Sequence, residues 1–378
     1  MKSLDSRIWL GAFALIVVLT PTLTEALSFE DPRWIFRGTE LRVENFDGRE
    51  TLYVENGMAV LGDVTFLDGV IEFEVMMGDE RGFSGARWRG EASGNYEEFY
   101  LRPHQSGKYD ANQYQPVFNG VSGWQIYYGS DYSIPVTYRP GEWTKVRIEV
   151  LGDQAQMYID SEEPVLVVDD LKHEMRSGLI ALFSGFAPAR FSNFHYELTK
   201  DIKIADLPKE KGDGPERKLE GLIRSWQVSD AVPESRIDGL TTLPPDVLLD
   251  VDFHALEVET NGIANLARIQ GLVDGKDTAF VRLVLRAESE TIQRLDFGFS
   301  DRIRIYSNGT LLYWGSDRWQ SRDYRFLGTV GTYSAVFLPL RKGINDVILA
   351  VSESFGGWAV TGNLVPEPGV TILEPGSD

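Results

Sequence analysis

The stretch from Asn95 to Tyr128, NYEEFYLRPHQSGKYDANQYQPVFNGVSGWQIYY, concentrates the residue types that could do chemistry. For proton transfer it offers His104, Glu98 and Asp110, with Glu97 beside them; an imidazole or a carboxylate pair is what cleavage of a glycosidic bond commonly needs. For binding it offers Tyr100, Arg102, Gln113, Tyr114, Asn119, Trp124 and Gln125, joined by Arg87 just upstream. Planar rings with multivalent hydrogen-bonding groups suit a polyhydroxylated ligand, because a sugar presents apolar C–H faces for stacking and hydroxyls that both donate and accept.

Strand alternation sorts these side chains. In EEFYLRPH, Phe99 and Leu101 share one side, while Glu98, Tyr100, Arg102 and His104 share the other. In GARWRG, Ala86 and Trp88 fall together and Arg87 falls with Arg89. Two neighbouring strands would thus offer arginines to one outer face. Asp110 to Asn119 carries so many amides that burial looks unable to satisfy them, so an exposed, ligand-facing loop is expected there.

Other chemistries find less support. Glu72 and Glu74 alternate with Ile71, Phe73 and Val75, which reads as the charged face of a half-exposed strand. The remaining histidines, His173, His195 and His254, have no metal-ligand spacing, and HExxH, a nucleophile elbow, a P-loop and a dinucleotide fingerprint are absent. No cofactor is expected. Gly78-Asp79-Glu80 and Asp169-Asp170 could attract calcium, but neither is a complete ligand set, and solvated turns explain them.

The 378-residue chain has no cysteine, and 43% of it is apolar, enough for one or two ordinary cores held by packing alone. A net charge of −20 opposes nucleic acid and anionic lipid as partners. Lys2 and Arg7, an apolar run from Ile8 to Leu19, and the small-residue ending before Leu27 read as a secretory signal peptide spanning 1–26. Beyond it no segment reaches the roughly 20 apolar residues of a membrane span. A secreted or periplasmic protein of bacterial type is the expectation.

From residue 27 to 198 the chain is a succession of short alternating runs such as GVIEFEVMM, EWTKVRIEVLG and GLIALFSG, with no helical periodicity. Residues 199–219 are charged and rich in Pro and Gly, a linker. Residues 220–365 return to strands, with Asn308-Gly309 as a two-residue hairpin turn, and 366–378 form a Pro-rich tail expected to be loose. The fold class expected is all-β: two β-sandwich (jelly-roll) domains joined by a charged linker.

GFSGARWR and PGEWTKVRIEVLGDQAQMYID resemble concanavalin A-like lectin/glucanase domains, in particular the secreted domains of the 3-keto-disaccharide hydrolase or family-16-like kind, over about residues 29–198. FSDRIRIYSNGTLLYWG, LPLRKGINDVILAVSE and FGGWAV are similar to galactose-binding-like jelly rolls, with Trp314, Trp319 and Trp358 as possible stacking residues. The first resemblance implies a saccharide or glycoconjugate as partner; the second implies an accessory sandwich. The E-x-D-x-x-E strand of the glucanases is absent, since Glu72 to Gly78 lacks the aspartate and the last glutamate. Recognition of a sugar is therefore expected first, a hydrolase or lyase acting on a modified glycoside second, and adhesion without a small ligand third.

Overall fold

In the computed structural model, which describes residues 26–208, 220–273 and 275–373, the chain is all-β, built of antiparallel sheets. Residues 1–25 of the expected signal peptide and residues 209–219 of the expected linker lie outside the described residues.

Twelve strands come first: β1 (Trp34–Phe46), β2 (Arg49–Phe66), β3 (Gly69–Met77), β4 (Phe83–Gly90), β5 (Tyr96–Leu101), β6 (Asn112–Phe118), β7 (Val121–Ser122), β8 (Trp143–Leu151), β9 (Gln154–Ile159), β10 (Leu166–Val168), β11 (Gly178–Gly185) and β12 (Ala189–Glu197). They form one continuous sheet in the order β10-β9-β8-β3-β12-β2-β11-β4-β5-β6-β7, with β1 paired to β2. That sheet is folded on itself at β2, whose Leu52–Val54 pairs with β12 while its later residues pair with β11. At the bend Gly38 of β1 lies against Gly57; a Cβ on Gly38 would sit 2.4 Å from the Gly57 Cα, so the crossing needs glycine. The inward rows, among them Phe73, Phe191, Ile148, Trp88, Phe99 and Tyr114, meet in one core.

Eleven strands follow: β13 (Ser225–Ser229), β14 (Phe253–Glu257), β15 (Ala264–Asn265), β16 (Thr278–Ala287), β17 (Thr291–Ser300), β18 (Arg302–Ser307), β19 (Thr310–Ser316), β20 (Ser334–Leu340), β21 (Gly343–Ser352), β22 (Ala359–Leu364) and β23 (Val370–Ile372). A seven-stranded sheet, β14-β13-β16-β21-β18-β19 with β23 on β16, packs on a four-stranded one, β15-β22-β17-β20, around Trp226, Phe297, Phe299 and Trp358. Asn308 and Gly309, both at positive φ (48° and 83°), close the β18–β19 hairpin as their types demand.

One sequence expectation changes. The tail is not loose throughout, because Val370–Ile372 pairs with Leu285–Ala287, and Val370 packs on the second core. The second sandwich packs directly on the first. Ile263, Val330 and Ala359 from it join the first core, while Phe118 and Val121 of the first unit join the second core.

Polar groups lock this junction. Buried Tyr127 donates its hydroxyl to Glu259 (2.7 Å) and accepts from Asn265 Nδ2 (3.1 Å), while Arg268 reaches both Glu259 (2.7 Å) and the Lys172 carbonyl (3.0 Å). Backbone bonds from Val330 to Gln125 and from Gly357 to Ser122 add to it.

Candidate functional site

The site starts from the β4–β5 ladder. Gly85 is paired with Tyr100 and Arg87 with Glu98, so alternation sends Tyr96, Glu98 and Tyr100 to the outer face and Phe99 and Leu101 into the core. The expected row of Glu98, Tyr100, Arg102 and His104 does share one surface. Along with Arg87, Asp110, Gln113 and Trp124, it lines a cleft of about 1290 Å³.

Tyr114, Asn119 and Gln125 do not join them. Tyr114 alternates inward on β6 and is fully buried, donating to Glu97 Oε2 at 2.7 Å. Asn119 turns the chain at φ 50° and donates to the Ala267 carbonyl across the junction. Gln125 is buried and accepts from Ser300 Oγ at 3.0 Å. Arg89 also departs from the face of Arg87. It sits at positive φ (52°), where the β4–β11 register slips by a residue, and its guanidinium donates to the Leu67 and Gly152 carbonyls.

The amide-rich segment is strand β6 rather than an exposed loop, because every amide finds a partner. Asn112 donates to the Ile134 carbonyl, and Gln113 to the carbonyls of Trp124 and Tyr127. Gln115 donates to Glu98 Oε1 at 2.7 Å and accepts from Ser122. The outward pair Glu72 and Glu74 lies in β3, away from the cleft, and is matched by Lys145 and Arg49. Asp170 of the acidic turn is likewise bound, to Lys172 and Thr260.

Within the cleft, Arg87 Nε donates to Glu98 Oε2 at 2.6 Å, and its guanidinium lies 4.5 Å from the Tyr96 ring centroid and 4.2 Å from that of Phe183. Glu98 is thus engaged on both oxygens, so service as a catalytic acid or base would break one of these bonds. Tyr100 donates to Gln113 Oε1 (2.9 Å) and accepts from Arg102 Nη2 (2.9 Å). Burial and the nearby Arg102 and Arg81 push the His104 imidazole below its ordinary range, which favours its neutral form.

Apart from Trp319, sequence reasoning missed the opposite wall. Trp319, Arg325, Phe326, Leu327 and Tyr333 come from the segment between β19 and β20, and Phe355 comes from the β21–β22 turn. Of the three second-unit tryptophans considered for stacking, Trp319 faces the cleft, Trp358 is fully buried and Trp314 is exposed elsewhere. Phe83 and Gln115 were within reach of alternation, standing two residues from Gly85 and Gln113. The second wall had no local signal, because only the packing of the two units brings it near.

Phe355 is held by Glu353. This buried carboxylate accepts the backbone N–H groups of Ser354, Phe355 and Gly356 (2.9, 2.7 and 2.8 Å) on one oxygen. Burial, with Asp301 adding to it, pushes Glu353 up to about 8 from an ordinary 4.5. The folded protein then keeps a proton that the unfolded chain has lost, so stability declines as pH rises from about 4.5 to about 8 and levels off above. Glu353→Gln keeps the accepting oxygen and removes the titration. Its melting temperature should exceed that of the parent at pH 8 and converge with it near pH 5, as read by thermal denaturation across that range.

Fold and site together define an all-β protein of two packed sandwiches with an arginine- and ring-lined cleft at their junction. No protein-family model matches the chain, and no curated protein matches its sequence. Solved structures that it resembles include the carbohydrate binding module CBM66 from Bacillus subtilis, at 16% identity over 44% of this chain and 95% of that one, TM-score 0.34. Others are the Bacillus licheniformis beta-glucanase (12%, 46% and 95%, TM-score 0.34) and chicken Galectin 2 (12%, 36% and 95%, TM-score 0.28). Identities and scores of this size transfer neither ligand nor activity.

Proposed function

We propose that this is an exported protein that recognises a saccharide, held on the outward face of the first sandwich and covered by the second. The observation that carries this reading is one cleft in which rings stand among fixed polar groups. Trp124, Tyr128, Trp319, Phe326 and Phe355 supply planes, while Arg87, Glu98, Tyr100, Arg102, Gln113 and Gln115 supply donors and acceptors fixed by one another. Such fixed groups select among hydroxyl patterns, and stacked rings supply contact area with little loss of side-chain freedom.

Calorimetric screening against oligosaccharides, neutral and acidic, tests it. Binding of at least one class is expected, with Trp124→Ala and Trp319→Ala each weakening it about tenfold, the loss of one stacking contact of roughly 1.4 kcal/mol. Absence of binding across the screen would end the reading, as would tryptophan variants that bind like the parent.

A further inference from the structure

Arg102 is in an unusual position for a charged group. It is 8% exposed, and the acceptors its guanidinium finds are all neutral: the Asp110 carbonyl at 3.1 Å, the Tyr100 hydroxyl and Gln113 Oε1. No carboxylate forms an ion pair with it among the described residues, whereas neighbouring Arg87 has Glu98. A guanidinium withdrawn from water is poorly compensated by neutral acceptors alone, and the shortfall persists unless an anion arrives.

Arg81 stands in the same cleft. Its guanidinium lies 5.6 Å from the Phe186 ring centroid and 5.2 Å from that of Trp319, bridging the two walls, again with no ion pair among the described residues. The two arginines flank one ring cluster: Arg102 lies 5.8 Å from the Phe83 ring centroid, and Phe83 packs against both His104 (5.4 Å) and Phe186 (5.5 Å), the ring that Arg81 also faces. His104 itself lines the cleft with a buried Nδ1 that has no hydrogen-bond partner among the described residues. Of the four arginines lining the cleft, Arg87 is paired with Glu98 and Arg325 with Asp323, which leaves Arg81 and Arg102 against Asp110, in a chain whose net charge is −20. A cationic hollow in so acidic a molecule repels neither carboxylates nor sulfates locally, while the remaining surface discourages loose anion binding elsewhere.

We infer that the saccharide carries an acidic group, a carboxylate or sulfate, whose oxygens meet Arg102 with Arg81 in the cleft. This rests on the saccharide reading above and narrows it. The guanidinium fork matches a planar carboxylate or the oxygens of a sulfate, and charge-assisted bonds of this kind strengthen where water is excluded. The sugar ring would then stack on the aromatic planes beside Arg81.

The test compares an oligogalacturonide with its fully methyl-esterified form, a sulfated dextran oligosaccharide and a neutral gluco-oligosaccharide of equal length, by calorimetry at two salt concentrations. One or both acidic ligands should bind at least about tenfold tighter than the uncharged ones and weaken as salt rises. Which of the two binds tighter separates carboxylate from sulfate. Arg102→Gln should weaken acidic binding by about thirtyfold and uncharged binding by less than about threefold. Should Arg102→Gln fold poorly, Arg81→Gln, at an exposed position, should still lower the acidic affinity and its salt dependence. Acidic ligands that both bind no tighter than the uncharged ones, or variants without preferential effect, would overturn the acidic group while leaving saccharide recognition standing. Binding of no sugar at all would remove both.

Discussion

Gly85→Ala is expected to destabilise the protein by more than about 3 kcal/mol and to abolish the cleft with it. A Cβ on Gly85 would lie 2.0 Å from the Phe99 carbonyl oxygen and 2.7 Å from the Tyr100 Cα, and both are backbone atoms that cannot rotate away. Relief would require separating β4 from β5, the pair that places Arg87 opposite Glu98. Gly185→Ala at the end of β11 is the matched control: nothing lies within 4 Å of its Cβ, and a change within about 0.5 kcal/mol is expected. Urea unfolding midpoints of the two variants decide it. A Gly85 variant as stable as the Gly185 variant would show that the strands can part without cost.

Arg87→Leu should cost about 3 kcal/mol or more, because the Glu98 side chain, 5% exposed, would lose its charged partner and keep its charge. The second change, Glu98→Gln in the Arg87→Leu background, should recover much of that loss, since the orphaned carboxylate is then gone and Gln115 remains beside the new amide. A double-mutant cycle from denaturant midpoints reads the coupling directly. If Arg87→Leu and the double variant are equally destabilised, the loss comes from packing against Tyr96 and Phe183 and not from the stranded charge.

Alternation was enough to order the outward row on β5 and to pair Arg87 with it, because both depend on a period of two residues that a core-facing strand enforces. The residue types of Asn308-Gly309 were enough to place them in a hairpin. Alternation misled at Arg89, where a bulge turns the side chain back, and bulges leave no period to read. Sequence alone does not show that the amides of β6 can be buried, because their partners, the carbonyls of Trp124, Tyr127 and Ile134, come from chain that folds over them. Tyr114 was counted with its neighbours, although its position between Gln113 and Gln115 puts it on the opposite face. Trp319 and Phe355 could not be assigned to the site from sequence, since their nearness to Trp124 exists only once the two sandwiches are docked.

That docking has a consequence for how specificity can change. The two walls of the cleft are clamped by a buried seam at Tyr127, Glu259, Arg268 and Val330, so the gap has its width before any ligand comes. A substitution in the seam would move one jaw against the other and alter which ring or branch fits, while every residue facing the ligand stayed the same. Descendants of this chain could therefore diverge in what they hold through changes at positions no ligand touches.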